Sequence, residues 1–182
     1  QGVHGAMQRG GVSFWYQELG GLPKPRPALE CSVSADICII GAGYTGLWAA
    51  YYLKKADPSL NIVILEEHFA GFGASGRNGG WLSGNFAWEH EKYLSSGTAE
   101  QVKAMVEAFH GTVDEVIAAA EMEGINADIH RTQELAIATN AYQFQRLAPE
   151  LKRLHHWGDH RSRLEIEAQL RTRIAIPSAR GA

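Results

Sequence analysis

The sequence predicts an α/β fold in which a βαβ unit opens a partial doubly wound parallel sheet and the start of a separate α+β portion follows. Two observations predict it. A short β-branched run, residues 36–40, breaks into glycines spaced Gly41-x-Gly43-x-x-Gly46, continues as a helical stretch and returns as a second apolar run ending in acid, residues 61–66. Beyond residue 97, a capping signal and three-to-four periodicity mark amphipathic helices. Composition agrees: 45% hydrophobic and 20% charged residues are ordinary for a globular chain and exclude disorder and coiled coil. With 17 Lys and Arg against 20 Asp and Glu, a net charge of -3 offers no basic field for nucleic acid. Cys31 and Cys38 are too few to staple a framework, and no leader pattern opens the chain, so a reducing cytoplasm is the expected setting.

In chain order, residues 1–12 are small and polar, tag-like, and expected to be disordered. Residues 13–34 read as an extended lead-in, because Pro23, Pro25 and Pro27 fix φ and lack the N–H that a helix or central strand needs. Asp36 to Ile40 is the first strand, Tyr44 to Lys55 a helix stopped by Asp57-Pro58, and Asn61 to Glu66 the second strand. The stretch from Ile37 to Leu53 also runs without a charge, close to the ~20 residues of a membrane span. Three glycines inside it weaken such a helix where the βαβ reading needs a turn, so no span is expected.

In this Rossmann-like unit each glycine has its own task. Gly41 permits the sharp turn, Gly43 lets main chain approach a pyrophosphate, and Gly46 lets helix and strand pack closely. The helix start at Ala42, Tyr44 and Thr45 then turns free N–H groups and a positive dipole end toward the diphosphate. Glu66 follows Gly46 by about 20 residues, where an acid accepts hydrogen bonds from a ribose diol. It is chosen over the adjacent Glu67 because it directly ends the apolar run; Glu67 is the alternative.

Between Gly71 and Gly84 the chain reads GFGASGRNGGWLSG, a glycine density that no helix or strand pattern survives. Gly73, Ala74, Gly79 and Gly80 let main chain approach a planar ring system, Arg77 suits phosphate oxygens, and Ser75 and Asn78 carry hydrogen-bond donors. The order GAGYTG, ILE, GFGASGRNGG resembles the FAD-dependent oxidoreductases of the D-amino-acid oxidase superfamily. With Trp15-Tyr16, the Arg26-Pro27-Ala28-Leu29 lead-in and ADICIIGAGYTGL, it looks most like the gamma-glutamylputrescine oxidase subgroup. The resemblance is dense from about residue 13 to 84 and thins afterwards.

That resemblance implies an FAD diphosphate against Gly41, Gly43 and Gly46, the adenosine ribose on Glu66, and the segment from Ser75 to Gly80 running toward the flavin ring. Relatives that attach FAD covalently through a histidine in this loop resemble the chain with that histidine at the Asn78 position. Asn78 has no imidazole, so FAD is expected to be held non-covalently. The resemblance further implies hydride transfer from a small amine or amino-acid substrate to flavin, with oxygen or another acceptor reoxidising it. It names no catalytic residue here. Two other readings stay open: a nucleotide-binding fragment without turnover, and an NAD-dependent dehydrogenase, which the Gly71 to Gly84 loop disfavours.

The domain reading takes residues 35–90 as the FAD-binding portion, 91–174 as helical and the start of a substrate domain, and 175–182 as an irregular tail, the whole being an amino-terminal piece of a longer enzyme. Thr98 to Gln101 is a capping box leading a long helix closed by Gly124; Glu134 to Thr139 has strand character; Tyr142 to Trp157 reads as a helix interrupted by Pro149. His155, His156 and His160 lack partners for a metal set, so no metal is expected. His90, His110 and His130 read as partly exposed polar groups. Arg161, Arg163, Arg171 and Arg173 with Glu165 and Glu167 read as a solvated face.

Overall fold

In a computed structural model that describes residues 13–85 and 89–182, the chain divides into two units, Gln1–Trp81 and Leu82–Ala182. The tag-like segment assigned to residues 1–12 lies outside the described residues.

In the first unit, Ser13 caps a short helix, α1 (Phe14–Glu18), its Oγ accepting from the Tyr16 amide at 3.3 Å. The extended reading of residues 13–34 thus misses a helical turn at its start. A serine cap and five residues free of proline suffice for one, and the prolines begin only at Pro23. Strand β1 (Ile37–Ile40) and strand β2 (Ile62–Leu65) pair in parallel with Ile37 opposite Ile62 and Ile40 opposite Leu65. A parallel pair needs a crossover, and α2 (Tyr44–Ala56) supplies it. The ladder is fixed at both ends. At the start, the Asn61 amide donates to Asp36 Oδ2 at 2.7 Å, and at the finish the Gly41 amide donates to Leu65 O at 2.7 Å. Lys54 closes α2 by donating to the carbonyls of Pro58 and Leu60. Among the described residues the sheet has these two strands.

The second unit is built on α3 (Ala99–Met122) and α4 (Ala141–His156). The expected capping box is present: Thr98 Oγ1 accepts from the Gln101 amide, and Gln101 Oε1 accepts from the Thr98 amide. Val102 and Val106 of α3 pack with Trp157 just past α4 to form a buried cluster, flanked by Tyr93 and Ala99. A short helix, α5 (Glu167–Leu170), buries Leu170.

Two expectations are corrected here. Pro149 does not interrupt α4, which runs through it. The proline removes one hydrogen bond, to the Gln145 carbonyl, while turns on both sides and the Asn140 cap on the Gln143 amide keep the helix whole. Glu134 to Thr139 forms no strand: only Ala138 pairs, in a single antiparallel bridge to Gly181. A β-prone segment becomes a strand only beside an edge, and here the edge is one residue long. The segment 175–182 has no regular element and is tied at its end. Gly181 bridges both Ala138 and Ile166, and the Glu165 and Ala182 main chains exchange hydrogen bonds at 2.7 and 3.0 Å. No described helix is long and apolar enough to cross a membrane.

Candidate functional site

At Gly41 the backbone leaves β1 with φ +97°, a conformation L side chains rarely adopt, and turns into α2 within three residues. Ala42 at this turn is buried and lies outside any helix, with the bend at Gly43 following it. Gly46, in the first turn of α2, sits so close to the Gly41 carbonyl oxygen that a Cβ would overlap it, with Ile39 Cγ2 3.2 Å away. Both requirements are met by the residue types the spacing predicts.

The first amides of α2 have no intrahelical acceptor. Its N-cap is Gly43, which has no side chain to supply one. Ser75 instead reaches across from the second glycine segment, its Oγ accepting from the Tyr44 amide at 2.9 Å. The first available acceptor-seeking groups beyond it are the amides of Thr45 and Gly46, at the positive end of the helix dipole.

Glu66, one residue past β2, aims its carboxylate back at this turn. Oε2 accepts from the Ala42 amide at 2.8 Å and Oε1 from the His68 amide at 3.1 Å. These amides, Ala42's foremost, hold the Glu66 carboxyl below the usual carboxylate range against a smaller opposing effect of burial. A carboxylate oxygen has two lone-pair sites, so each keeps capacity for a further donor. Glu67 is exposed.

The second glycine segment is loop apart from a 3-10 turn at Ala74–Gly76. It lies against the first turn through the Gly71 amide, which donates to Ala42 O at 2.9 Å, and through Asn78 Nδ2, which donates to Tyr44 Oη at 3.3 Å and to Ser75 O at 2.7 Å. Asn78 Oδ1 also accepts from the Gly80 amide at 2.8 Å. Of the residues singled out from sequence, Gly41, Ala42, Gly43, Tyr44, Gly46, Glu66, Ser75 and Asn78 are thus brought together, with Gly79 and Gly80 following on the same loop. Arg77 is anchored within the loop. Its Nε donates to Phe72 O at 2.9 Å and its guanidinium lies 5.2 Å from the Phe72 ring centre.

Sequence reasoning missed two features of the second unit. His90 is buried, stacked on Trp157 with ring centres 5.8 Å apart, and its Nδ1 lies 3.2 Å from Arg153 Nη1. The partly exposed reading fits His110 and the exposed His130, but not His90. No local signal marked it, because its partners Trp157 and Arg153 lie far along the chain. Glu165 is likewise no part of a solvated face: it is 7% exposed, and its Oε1 accepts from Arg163 at 3.2 Å and Arg173 at 2.6 Å. Arg163 and Arg173 close on this buried carboxylate, while Arg161 meets Glu107 and Arg171 meets Glu167. Among the described residues no group of three or more His, Cys, Asp or Glu is placed to hold a metal ion.

Residues 36–182 match the family model described as FAD dependent oxidoreductase. The chain is 30% identical over 174 residues to the gamma-glutamylputrescine oxidoreductase of Escherichia coli K12, covering 94% of this chain and 39% of that protein. It is 32% identical over 102 residues to a probable oxidoreductase, OrdL, of Haemophilus influenzae, covering 56% and 23% of the two. A third relative is the sarcosine oxidase subunit beta of Rhizobium meliloti, 36% identical over 64 residues that cover 35% and 14%. The chain therefore spans about two fifths of the first of these relatives and less of the others. No solved structure matches. A glycine turn braced by a strand-end glutamate, within a match that covers most of the chain, identifies the protein as a member of the FAD-dependent oxidoreductase family.

Proposed function

We propose that this chain is the amino-terminal, FAD-binding part of an enzyme that oxidises a C–N bond in a small amine or amino acid. The observation that carries the reading is the direct bond between Glu66 and the Ala42 amide, which joins the strand-end acid to the glycine turn. Residues 35–90 form the cofactor portion, extended in the whole enzyme to a doubly wound sheet, and 91–174 begin the substrate domain.

The residues fit the cofactor. Gly43 brings the helix start within reach of a diphosphate, the amides of Thr45 and Gly46 stabilise its charge without a lysine, and the spare lone pairs of Glu66 accept a ribose diol. A 2′-phosphate on that ribose would be repelled by the carboxylate. Ser75 Oγ accepts from Tyr44 and retains its own proton to donate toward the same anion. Gly73, Ala74 and Gly79 keep the loop free of bulk beside the flavin, and Asn78, with no imidazole, leaves the cofactor non-covalently held. FAD, when bound, supplies the hydride acceptor for the substrate C–H next to nitrogen, and oxygen or another acceptor takes the electrons on. The protein's share is alignment of ring and substrate. The names of the gamma-glutamylputrescine and sarcosine relatives support an amine substrate.

The test is Glu66→Ala in the full-length protein. Wild type is expected to carry a flavin absorption band, to release FAD on denaturation without proteolysis, and to lose about tenfold or more in FAD affinity on the substitution, as expected where charge-assisted hydrogen bonds of about 1.5–3 kcal/mol are removed. An unchanged affinity overturns the ribose assignment. A colourless protein that binds NAD instead overturns the family reading at its root.

A further inference from the structure

Trp15 and Tyr16 lie ahead of residues 36–182, the segment that matches the family model, and nothing in the glycine motifs predicts a role for them. Yet both reach the second glycine loop. Tyr16 is buried, with its ring edge-on to Phe69 at 5.3 Å, and its hydroxyl donates to Gly71 O at 2.7 Å. The same hydroxyl fills the space that a side chain at Gly76 would occupy. Trp15 donates from Nε1 to Asn78 O at 2.8 Å, and its ring lies where a Cβ on Gly80 would fall 2.7 Å from Cζ2. The loop is therefore held on one flank by the first glycine turn, through Ala42 and Tyr44, and on the other by these two aromatics.

A segment so rich in glycine loses more conformational freedom on ordering than any other composition, and every residue left loose must be ordered when a ligand arrives. Two bonds to main-chain carbonyls are well suited to remove that freedom beforehand. They fix the backbone path itself and leave the side chains of Ser75 and Asn78 to other partners. They also explain why Gly76 and Gly80 are glycines independently of any cofactor: the aromatic groups occupy the space beside them.

We propose that Trp15 and Tyr16 are positioning residues for FAD, pinning the Gly71 to Gly80 backbone in its cofactor-ready path. This rests on the FAD-binding reading above. The experiment uses Trp15→Phe and Tyr16→Phe in the full-length protein; each keeps an aromatic ring and removes one donor. Leu19→Ala, on an exposed residue just past α1, is the control. Two readouts are taken: cleavage by trypsin after Arg77 in FAD-free protein, and FAD affinity together with the visible circular dichroism of bound flavin. Each Phe variant is expected to be cut several-fold faster and to bind FAD about fivefold more weakly with an altered flavin signal, the loss of one net hydrogen bond. The control is expected to match wild type in both. Faster cleavage with unchanged affinity and flavin signal overturns the positioning role, and so does unchanged cleavage. Wild type that takes up no FAD overturns the functional reading instead, with the cleavage result still reporting whether the aromatics pin the loop.

Discussion

Up to Trp81 the described chain is tied by a parallel strand pair and by hydrogen bonds that mostly have a main-chain group at one end, around two glycine-rich turns, whereas from Leu82 onward a buried cluster of side chains ties it. In the first unit Ala42 and Gly46 are buried while Ile40, at the end of β1, is 87% exposed. In the second, Val102, Val106 and Trp157 form an apolar cluster, with Trp157 only 3% exposed. One unit is shaped by side chains that are missing and the other by side chains that are present. Opposite perturbations should therefore damage them: an added methyl group in the first, a deleted ring in the second.

The largest effect expected is from Trp157→Ala, which removes the ring packed on Val102 and Val106 and the donor held by Glu91 Oε1 at 2.9 Å. Truncation of a buried tryptophan costs about 3–5 kcal/mol. Urea denaturation, with amide exchange followed along α3, measures it. A loss below about 1 kcal/mol would mean that the cluster does not hold this unit, since that is the ordinary cost of an average substitution.

Gly46→Ala comes next, and its sign is the informative part. In an open helix position alanine is favoured over glycine by about 1 kcal/mol. Here the new Cβ meets the Gly41 carbonyl, which is backbone and has no rotamer to yield, so overpacking of about 1–3 kcal/mol opposes the gain. Net destabilisation with loss of bound FAD is expected, read from a denaturation curve and flavin absorbance. A stabilised variant would break the claim that close approach shapes the turn.

What was legible in the sequence follows the same division. The strands, the turn and α2 were readable because backbone demands select residue types directly: Gly41 at a positive φ and Gly46 at a close approach permit little else. The Thr98 capping box was readable for the same local reason. The burial of His90 and Glu165 was not, because each depends on partners far along the chain, Trp157 and Arg153 for one and Arg173 for the other. Helix α1 fell between: Ser13 carried a cap signal, but the prolines beyond it dominated the reading. Glu134 to Thr139 misled because strand propensity without a neighbouring edge has nothing to pair with. Ser75 was singled out as a donor, and its role as the cap of a helix in another element became visible only in three dimensions.

A gentler test addresses the side-chain unit. Burial first, and then the charge of Arg153, push the His90 imidazole below its ordinary value near 6.5. A depressed histidine favours the neutral form in the folded chain, so protonation favours unfolding. Its contribution to stability is complete above the ordinary value and is lost as pH falls below it toward the lowered native one. The urea midpoint should fall between pH 7.5 and 5.5, and His90→Phe, which keeps a ring for stacking on Trp157, should flatten part of that slope. An identical slope in both proteins would remove His90 as its source.

The smallest effect separates two ion pairs of equal length. Arg131 meets Asp114 at 2.6 Å with side chains 66% and 62% exposed, and Arg173 meets Glu165 at 2.6 Å with the glutamate side chain only 9% exposed. Distance alone predicts equal worth. Water and salt screen the first pair, and ordering two long side chains offsets what attraction remains. Around Glu165 burial pushes the carboxyl up, but the hydrogen bonds from Arg163 and Arg173 outweigh it and hold it low, so its contribution is present above the ordinary glutamate range and is lost as pH falls through the lowered value. Glu165→Gln should lower the urea midpoint and Asp114→Asn should leave it unmoved, at both low and high salt. A salt-sensitive loss in Asp114→Asn as large as that in Glu165→Gln would show that exposure does not divide these pairs, and that the second unit owes its stability to surface charge as much as to its buried ring.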